Sequence, residues 1–196
     1  LQVIARQNHR LTSLVSDLLL LSRLDIQSTS AKAPCCLADV LSDIEEELAA
    51  LAIASDIQLI LDQPPDPSIT VLGNEEQLYR MVLNIVSNAL QHTPAGGKVI
   101  IRLRQSTRTT FPEGEKRQAL IIVEDTGIGI APEDQSRIFD RFYRVNKDRS
   151  RQSGGSGLGL AIALAIAKAH GGNIQVESQI GQGSIVTIAL PSRGEN

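Results

Sequence analysis

Apolar residues recur every seven positions at the start of the chain. Ile4, Leu11 and Leu18 mark one position of the repeat, and Leu14 and Leu21 mark the other. This a/d pattern predicts one helix over residues 1 to about 27, with a seam suited to partner helices. Arg6, Gln7, Arg10, Ser13 and Asp17 fill much of the rest. The same pattern also fits a long helix packed on its own domain. A polar stretch over 28–34 then reads as a linker. It divides the chain into a partial domain, 1–30, and a second domain, 31–196.

The remaining pattern alternates helix and strand. Leu37, Val40, Leu41, Ile44, Leu48 and Leu51 keep helical spacing over 37–54. A strand is expected over 57–61, a proline-rich loop over 63–67 and a short strand over 69–72. A further helix over 74–92 is stopped by Thr93, Pro94, Gly96 and Gly97. Val99, Ile101 and Leu103 alternate with Ile100, Arg102 and Arg104, and 119–124 is strongly apolar. The polar stretch between them predicts an antiparallel hairpin with a long tip. An Ala- and Leu-rich helix over 157–170 and a hairpin of 173–178 with 184–190 complete the chain. The sum is an α/β two-layer sandwich: helices on one face of a mostly antiparallel sheet, preceded by one long helix.

Composition narrows the partners. Apolar residues make up 42% of the 196, enough for a packed core and too many for a disordered chain. Aromatics are 3%, so Leu, Ile, Val and Ala must fill that core, and a base-stacking nucleic-acid binder is disfavoured. A net charge of −3 argues against a nucleic-acid or anionic-membrane partner. The adjacent Cys35 and Cys36 suit a reducing, cytoplasmic setting and read as small packing residues. No apolar run approaches the ~20 residues that span a bilayer, and no signal peptide is visible. The chain opens without Met inside a helical pattern, so it is expected to be a piece of a longer protein.

Several segments carry candidate chemistry. Asn84 and Asn88 lie four apart and share a helix face, with Gln91 and His92 a turn further on. An amide oxygen is a hard, neutral ligand suited to Mg²⁺; two surface asparagines are the plainer reading. Asp125-Thr126-Gly127-Ile128-Gly129-Ile130 follows an apolar strand. A carboxylate there can accept from an amino group while the glycines let the backbone approach a flat ligand, although a plain turn fits as well. Gly154-Gly155-Ser156-Gly157-Leu158-Gly159-Leu160 opens a helix and forms either an anion cradle or a flexible linker. It lacks the Gly-Lys-Ser/Thr of a P-loop. Between the two glycine segments, Arg141, Arg144, Lys147, Arg149 and Arg151 mark either a lid over phosphates or a solvated basic loop.

In order, Asn84 to Asn88, Asp125 to Ile130, Phe139 to Phe142 and Gly155 to Gly159 resemble the ordered motif set of sensor histidine kinases. Ala169-His170-Gly171-Gly172 and Gly181-Gln182-Gly183-Ser184 are similar to that family too. Arg10-Leu11 and the 17–24 segment resemble the second helix of its dimerisation domain. The resemblance covers nearly the whole chain. It implies the Bergerat fold and a site for ATP and Mg²⁺. Asn88 would ligate Mg²⁺, and Asn84 would support the phosphate side. Asp125 would accept from the adenine amino group, and Gly127, Gly129 and Ile130 would shape its pocket. Phe139 and Phe142 would anchor the lid, and Arg144 would reach the terminal phosphate. The backbone of Gly155, Ser156, Gly157, Leu158, Gly159 and Leu160 would wrap the triphosphate.

His92 stands where the family often has an aromatic ring or His near the nucleotide. Gln91 replaces a cation found in many relatives, which either weakens binding or moves that load to Arg144 and the lid. The implied activity is transfer of the ATP γ-phosphoryl to a dimerisation-domain His, then to an Asp of a response regulator, in a homodimeric parent that can be membrane-anchored. None of His9, His92 and His170 lies in the family's phosphoacceptor box. His9 matches the second helix instead, so this chain alone is expected to bind ATP without autophosphorylating. A nucleotide-binding module, or an ATPase or serine kinase of the same superfamily, is the alternative.

Overall fold

The computed structural model describes residues 12, 14–22, 24, 32–64, 69–110, 114–145 and 156–192, with backbone alone for 107–110 and 114–116. Helix α1 runs over residues 14–22. The further elements are β1 (Ala33–Cys36), α2 (Leu37–Ala54), β2 (Gln58–Asp62), β3 (Thr70–Gly73) and α3 (Glu75–His92). They continue with β4 (Lys98–Thr110), β5 (Gly114–Asp125), α4 (Pro132–Gln135), α5 (Gly159–Ala169), β6 (Asn173–Gln179) and β7 (Gly183–Pro191).

The main sheet has the order β2-β4-β5-β7-β6. Only β2 and β4 run parallel, because α3 lies on the crossover between them. The remaining pairs are antiparallel, so the expected two-layer, mostly antiparallel sandwich is what forms. The alternation along β4 works as anticipated. Val99, Ile101 and Leu103 are fully buried beneath the helices, opposite Ile121 and Val123 of β5 in the same core. On the open face Arg102 pairs with Glu124 at 2.5 Å, and Arg104 pairs with Asp62 at 2.5 Å.

Helix α3 is amphipathic. Leu78, Met81, Val82, Ile85 and Val86 are buried, leaving Asn84 and Asn88 on its partly open side. Asn74 caps it, accepting from the Gln77 amide at 2.9 Å. Thr93 closes it through a hydroxyl bond to the Ala89 carbonyl.

Two elements differ from the sequence expectation, and a third follows the alternative stated for it. Ala33 and Pro34, expected at the end of the linker, instead open β1, an antiparallel partner of β3 outside the main sheet. The expected long hairpin tip is instead continued strand. The β4–β5 ladder reaches Thr110 opposite Gly114, well past the point where β7 pairs with Gln118. Helix α1 packs on the rest of the chain: Leu21 is 1% exposed in the common core, and Asp17 pairs with Arg80 of α3. Of its seam residues, Leu14 and Leu21 face this core, whereas Leu18 is exposed beside Val15 and Leu19. Ile4, Leu11 and His9 lie outside the described residues.

Candidate nucleotide site

Three segments far apart in sequence converge. The first is the polar side of α3. Asn84 is half-buried, and its amide nitrogen is buried without a hydrogen-bond partner. A Cβ placed on Gly159 would lie 3.4 Å from the Asn84 Oδ1, so the start of α5 abuts this side chain. Asn88, Gln91 and His92 continue outward, with Gln91 and His92 exposed at the rim.

The second segment follows β5. Asp125 is 9% exposed and accepts from the Gly127 amide at 2.8 Å. Burial raises its pKa above the usual carboxylate value, against the lowering effect of the Gly127 and Ser184 amides and of His92. The Ile128 amide donates to the His92 carbonyl at 3.2 Å, which ties this loop to the end of α3. Gly129 needs to be glycine: its φ is +72°, and a Cβ would sit 2.0 Å from the Gln179 carbonyl oxygen. Enclosure at the cleft edge lowers the pKa of His92. Asp125 opposes that shift and Arg144 adds to it.

The third segment flanks the basic loop on both sides. The Phe142 amide donates to the Gly157 carbonyl at 2.9 Å, joining the two ends of the basic loop. Phe142 has φ +63° and an exposed ring, whereas Phe139 is half-buried against the core. Leu158 is fully buried and its amide donates to the Ser156 hydroxyl at 3.2 Å. Helix α5 then begins with no side-chain cap, so the amides of its first turn have no intrahelical acceptor. Arg144 of the basic loop is among the described residues; Gly155 and the basic residues Lys147, Arg149 and Arg151 lie outside them.

The cleft therefore has a buried carboxylate at one side and amide side chains with free backbone N–H groups at the other. The first suits an amino-bearing ring, the second a phosphate chain. Among the described residues no cluster of three His, Cys, Asp or Glu could hold a metal ion. A metal here would be held by an amide oxygen, waters and phosphate, which is the Mg²⁺ habit rather than an acidic cage. The unpartnered Asn84 amide fits a site whose ligand supplies an acceptor. A separate hollow of about 520 Å³ lies between the end of α2 and the Gly96–Gly97 turn, and shares only Thr126 with the Asp125–Ile130 loop.

Sequence reading missed the supports of the Asp125–Ile130 loop. The Ser178 hydroxyl accepts from the Ile130 amide and donates to the Gly183 carbonyl, each at 2.8 Å. The Gln135 amide bridges the Ile130 and Ser178 carbonyls at 3.0 and 2.8 Å. Tyr143 is held by Asp134 at 2.5 Å, with Arg137 over its ring. The sole hint was the glycine-rich turn at Gly181–Gly183.

The family model "Histidine kinase-, DNA gyrase B-, and HSP90-like ATPase" matches residues 73–194. The sensor histidine kinase RppB of Synechocystis is 50% identical over 192 residues, covering 97% of this chain and 40% of that protein. The sensor-like histidine kinase SenX3 of Mycobacterium tuberculosis is 40% identical over 187 residues, covering 94% of this chain and 42% of its own. The chain thus spans about two fifths of these curated relatives. Among solved structures, the mycobacterial sensor histidine kinase MprB is 30% identical with a TM-score of 0.66, covering 84% of this chain and 99% of that one. Full-length ShkA in complex with AMPPNP is 28% identical with a TM-score of 0.80, covering 99% of this chain and 38% of that one.

Proposed function

Because this chain belongs to the histidine kinase-, DNA gyrase B-, and HSP90-like ATPase family, on its sensor histidine kinase branch, we propose that it is the ATP-binding catalytic part of a sensor histidine kinase. The carrying observation is the buried, unpartnered amide of Asn84 against the uncapped start of α5, across the cleft from buried Asp125. ATP lies between them. Asp125 accepts from the adenine amino group, in the pocket shaped by Gly127, Gly129 and Ile130. The α5 amides and the backbone of Gly155 to Leu160 receive the triphosphate, Arg144 reaches its terminal phosphate, and Phe139 and Phe142 hold the lid.

Asn88 offers its side-chain oxygen to Mg²⁺, which when bound supplies charge neutralisation on the phosphates. The chain's part in the transfer is positioning and electrostatics rather than covalent chemistry. The γ-phosphoryl passes to a dimerisation-domain His other than His9, His92 and His170, then to an Asp of a response regulator. The exposed Val15, Leu18 and Leu19 support a homodimer through the α1 seam. The sensor-kinase relatives favour this reading over a non-kinase nucleotide module or another ATPase of the superfamily.

Calorimetry with Mg²⁺-ATP tests the site. Wild type is expected to bind ATP in preference to GTP. Asn88→Ala should lose the Mg²⁺-dependent part of the affinity while keeping its circular dichroism spectrum, and unchanged affinity would sink the metal assignment. Labelled ATP with a supplied dimerisation domain tests the transfer: label should appear on that domain's His, and label on His9 would overturn the reading.

A further inference from the structure

The Ala169-His170-Gly171-Gly172 motif has no task in nucleotide binding, yet His170 is among the best-fixed side chains of the molecule. It is 7% exposed at the C-terminal end of α5. Its Nδ1 lies 2.8 Å from the Ile166 carbonyl oxygen of its own helix. Its Nε2 accepts from the Asn74 amide of α3 at 3.1 Å. An amide N–H can only donate, so the ring proton is on Nδ1 and both ring nitrogens are used. The Asn74 N–H is one of the amides an α-helix leaves unpaired at its start, and here a side chain of another helix takes it. Gly73 makes room: a Cβ there would meet the ring Cδ2 at 2.9 Å and Nε2 at 3.1 Å.

Helices α3 and α5 run antiparallel, and they touch at two landmarks. At one end His170 meets Asn74; at the other, the Gly159 backbone abuts Asn84. The landmarks lie roughly 15 Å apart along each helix axis at 1.5 Å rise per residue. Both helices bring buried apolar side chains to one core, among them Leu78, Met81 and Ile85 of α3 and Ile162, Ala163 and Ile166 of α5. Apolar packing alone has little directional preference along the axis, whereas a hydrogen bond across the helix pair has one.

We propose that His170 is a positioning residue for the triphosphate: it pins the axial register of α5 on α3, and so sets the α5 amides against the Asn84–Asn88 face. This inference rests on the nucleotide reading above. A slip of α5 would move the phosphate cradle relative to the α3 amides while leaving the Asp125 pocket, built from β5 and the β6–β7 turn, in place. The pin therefore acts on the phosphate half of the ligand and not on the base.

Two variants separate the pin from general stability. His170→Gln has the reach to keep an acceptor on the Asn74 amide. His170→Asn can keep the Ile166 contact and is too short for Asn74. Dissociation constants for Mg²⁺-ATP and for adenosine are measured for each protein, folded by circular dichroism. The ratio of the two constants is the triphosphate's share of binding. The share should fall roughly fivefold or more in His170→Asn, the usual effect of one lost buried hydrogen bond, with adenosine affinity unchanged. His170→Gln should stay close to wild type. A wild-type ratio in folded His170→Asn, or the same loss in both variants, overturns the proposal. Wild-type protein supplies a measurement independent of variant folding. By linkage, Mg²⁺-ATP should slow hydrogen exchange at the Asn74 amide and adenosine should not; equal exchange under both also overturns it. Failure of wild type to bind Mg²⁺-ATP more tightly than adenosine would instead sink the nucleotide reading itself.

Discussion

Asp125 is a carboxylate that the fold makes uncomfortable. Burial raises its pKa, so the folded state prefers it protonated relative to the unfolded chain. That preference is fully present below the ordinary carboxylate value and fades as pH rises through the raised value. Ionised Asp125 is therefore a destabilising charge in the fold, and in the function proposed above it accepts from a ligand's amino group. Asp125→Asn should gain stability relative to wild type as pH goes from about 4 to about 7, measured by urea unfolding, and should lose ATP binding. A stability difference that does not change with pH would refute this.

His170 carries the opposite sign. Burial lowers its pKa, so its share of stability is present above about pH 6.5 and is lost as pH falls through the lowered value. Lys32, whose ammonium donates to the Ala169 carbonyl at 2.8 Å, adds to the lowering of His170, and the backbone bond to Ile166 opposes it. Asn84, Asn88 and Asp125 were legible in the sequence because residue type and spacing alone suggest their chemistry. The task of His170 was not, because it depends on an amide 96 positions away.

Among elements, α1 has two apolar faces. Leu14, Leu21 and Leu24 turn to the core with Asp17, and Val15, Leu18 and Leu19 turn to solvent. The heptad repeat made the helix and its seam legible, but not the division of that seam between two neighbours. The Asp17–Arg80 pair is part-shielded, so a double-mutant cycle of Asp17→Asn and Arg80→Gln should give a coupling of roughly 0.5–1 kcal/mol in thermal or urea unfolding. A zero coupling would mean that the apolar face of Leu14, Leu21 and Leu24 holds α1 on the core without help from the ion pair. Strand β1 was illegible for a plain reason. Ala33-Pro34-Cys35-Cys36 has no alternation and little β preference, and only its pairing with β3 makes it a strand. The Phe142–Gly157 contact has its own test. Gly157 has φ +72° with the Phe142 backbone 3.1 Å from any added Cβ, so Gly157→Ala should weaken Mg²⁺-ATP more than adenosine in calorimetry.

For the whole molecule, the order of helices and strands was readable from periodicity, and the two-layer sandwich followed. The parallel β2–β4 pair and the sheet order were not, because they depend on which strand crosses over α3. The β4–β5 ladder bears on how the molecule reaches this state. Its residues are close in sequence and paired over the full length of the hairpin, from Val99–Asp125 to Thr110–Gly114. Zipping from the turn closes only short loops, whereas pairing β2 with β4 or β5 with β7 closes long ones. The ribbon is thus the natural early structure, a template on which β2 and β7 later dock. Ile121→Val on β5 should slow folding more than it speeds unfolding, and Ile174→Val on β6 should do the reverse, in stopped-flow chevrons. Because Asp125 sits at the last rung of that ribbon, the first structure to form would already fix the register of the nucleotide pocket.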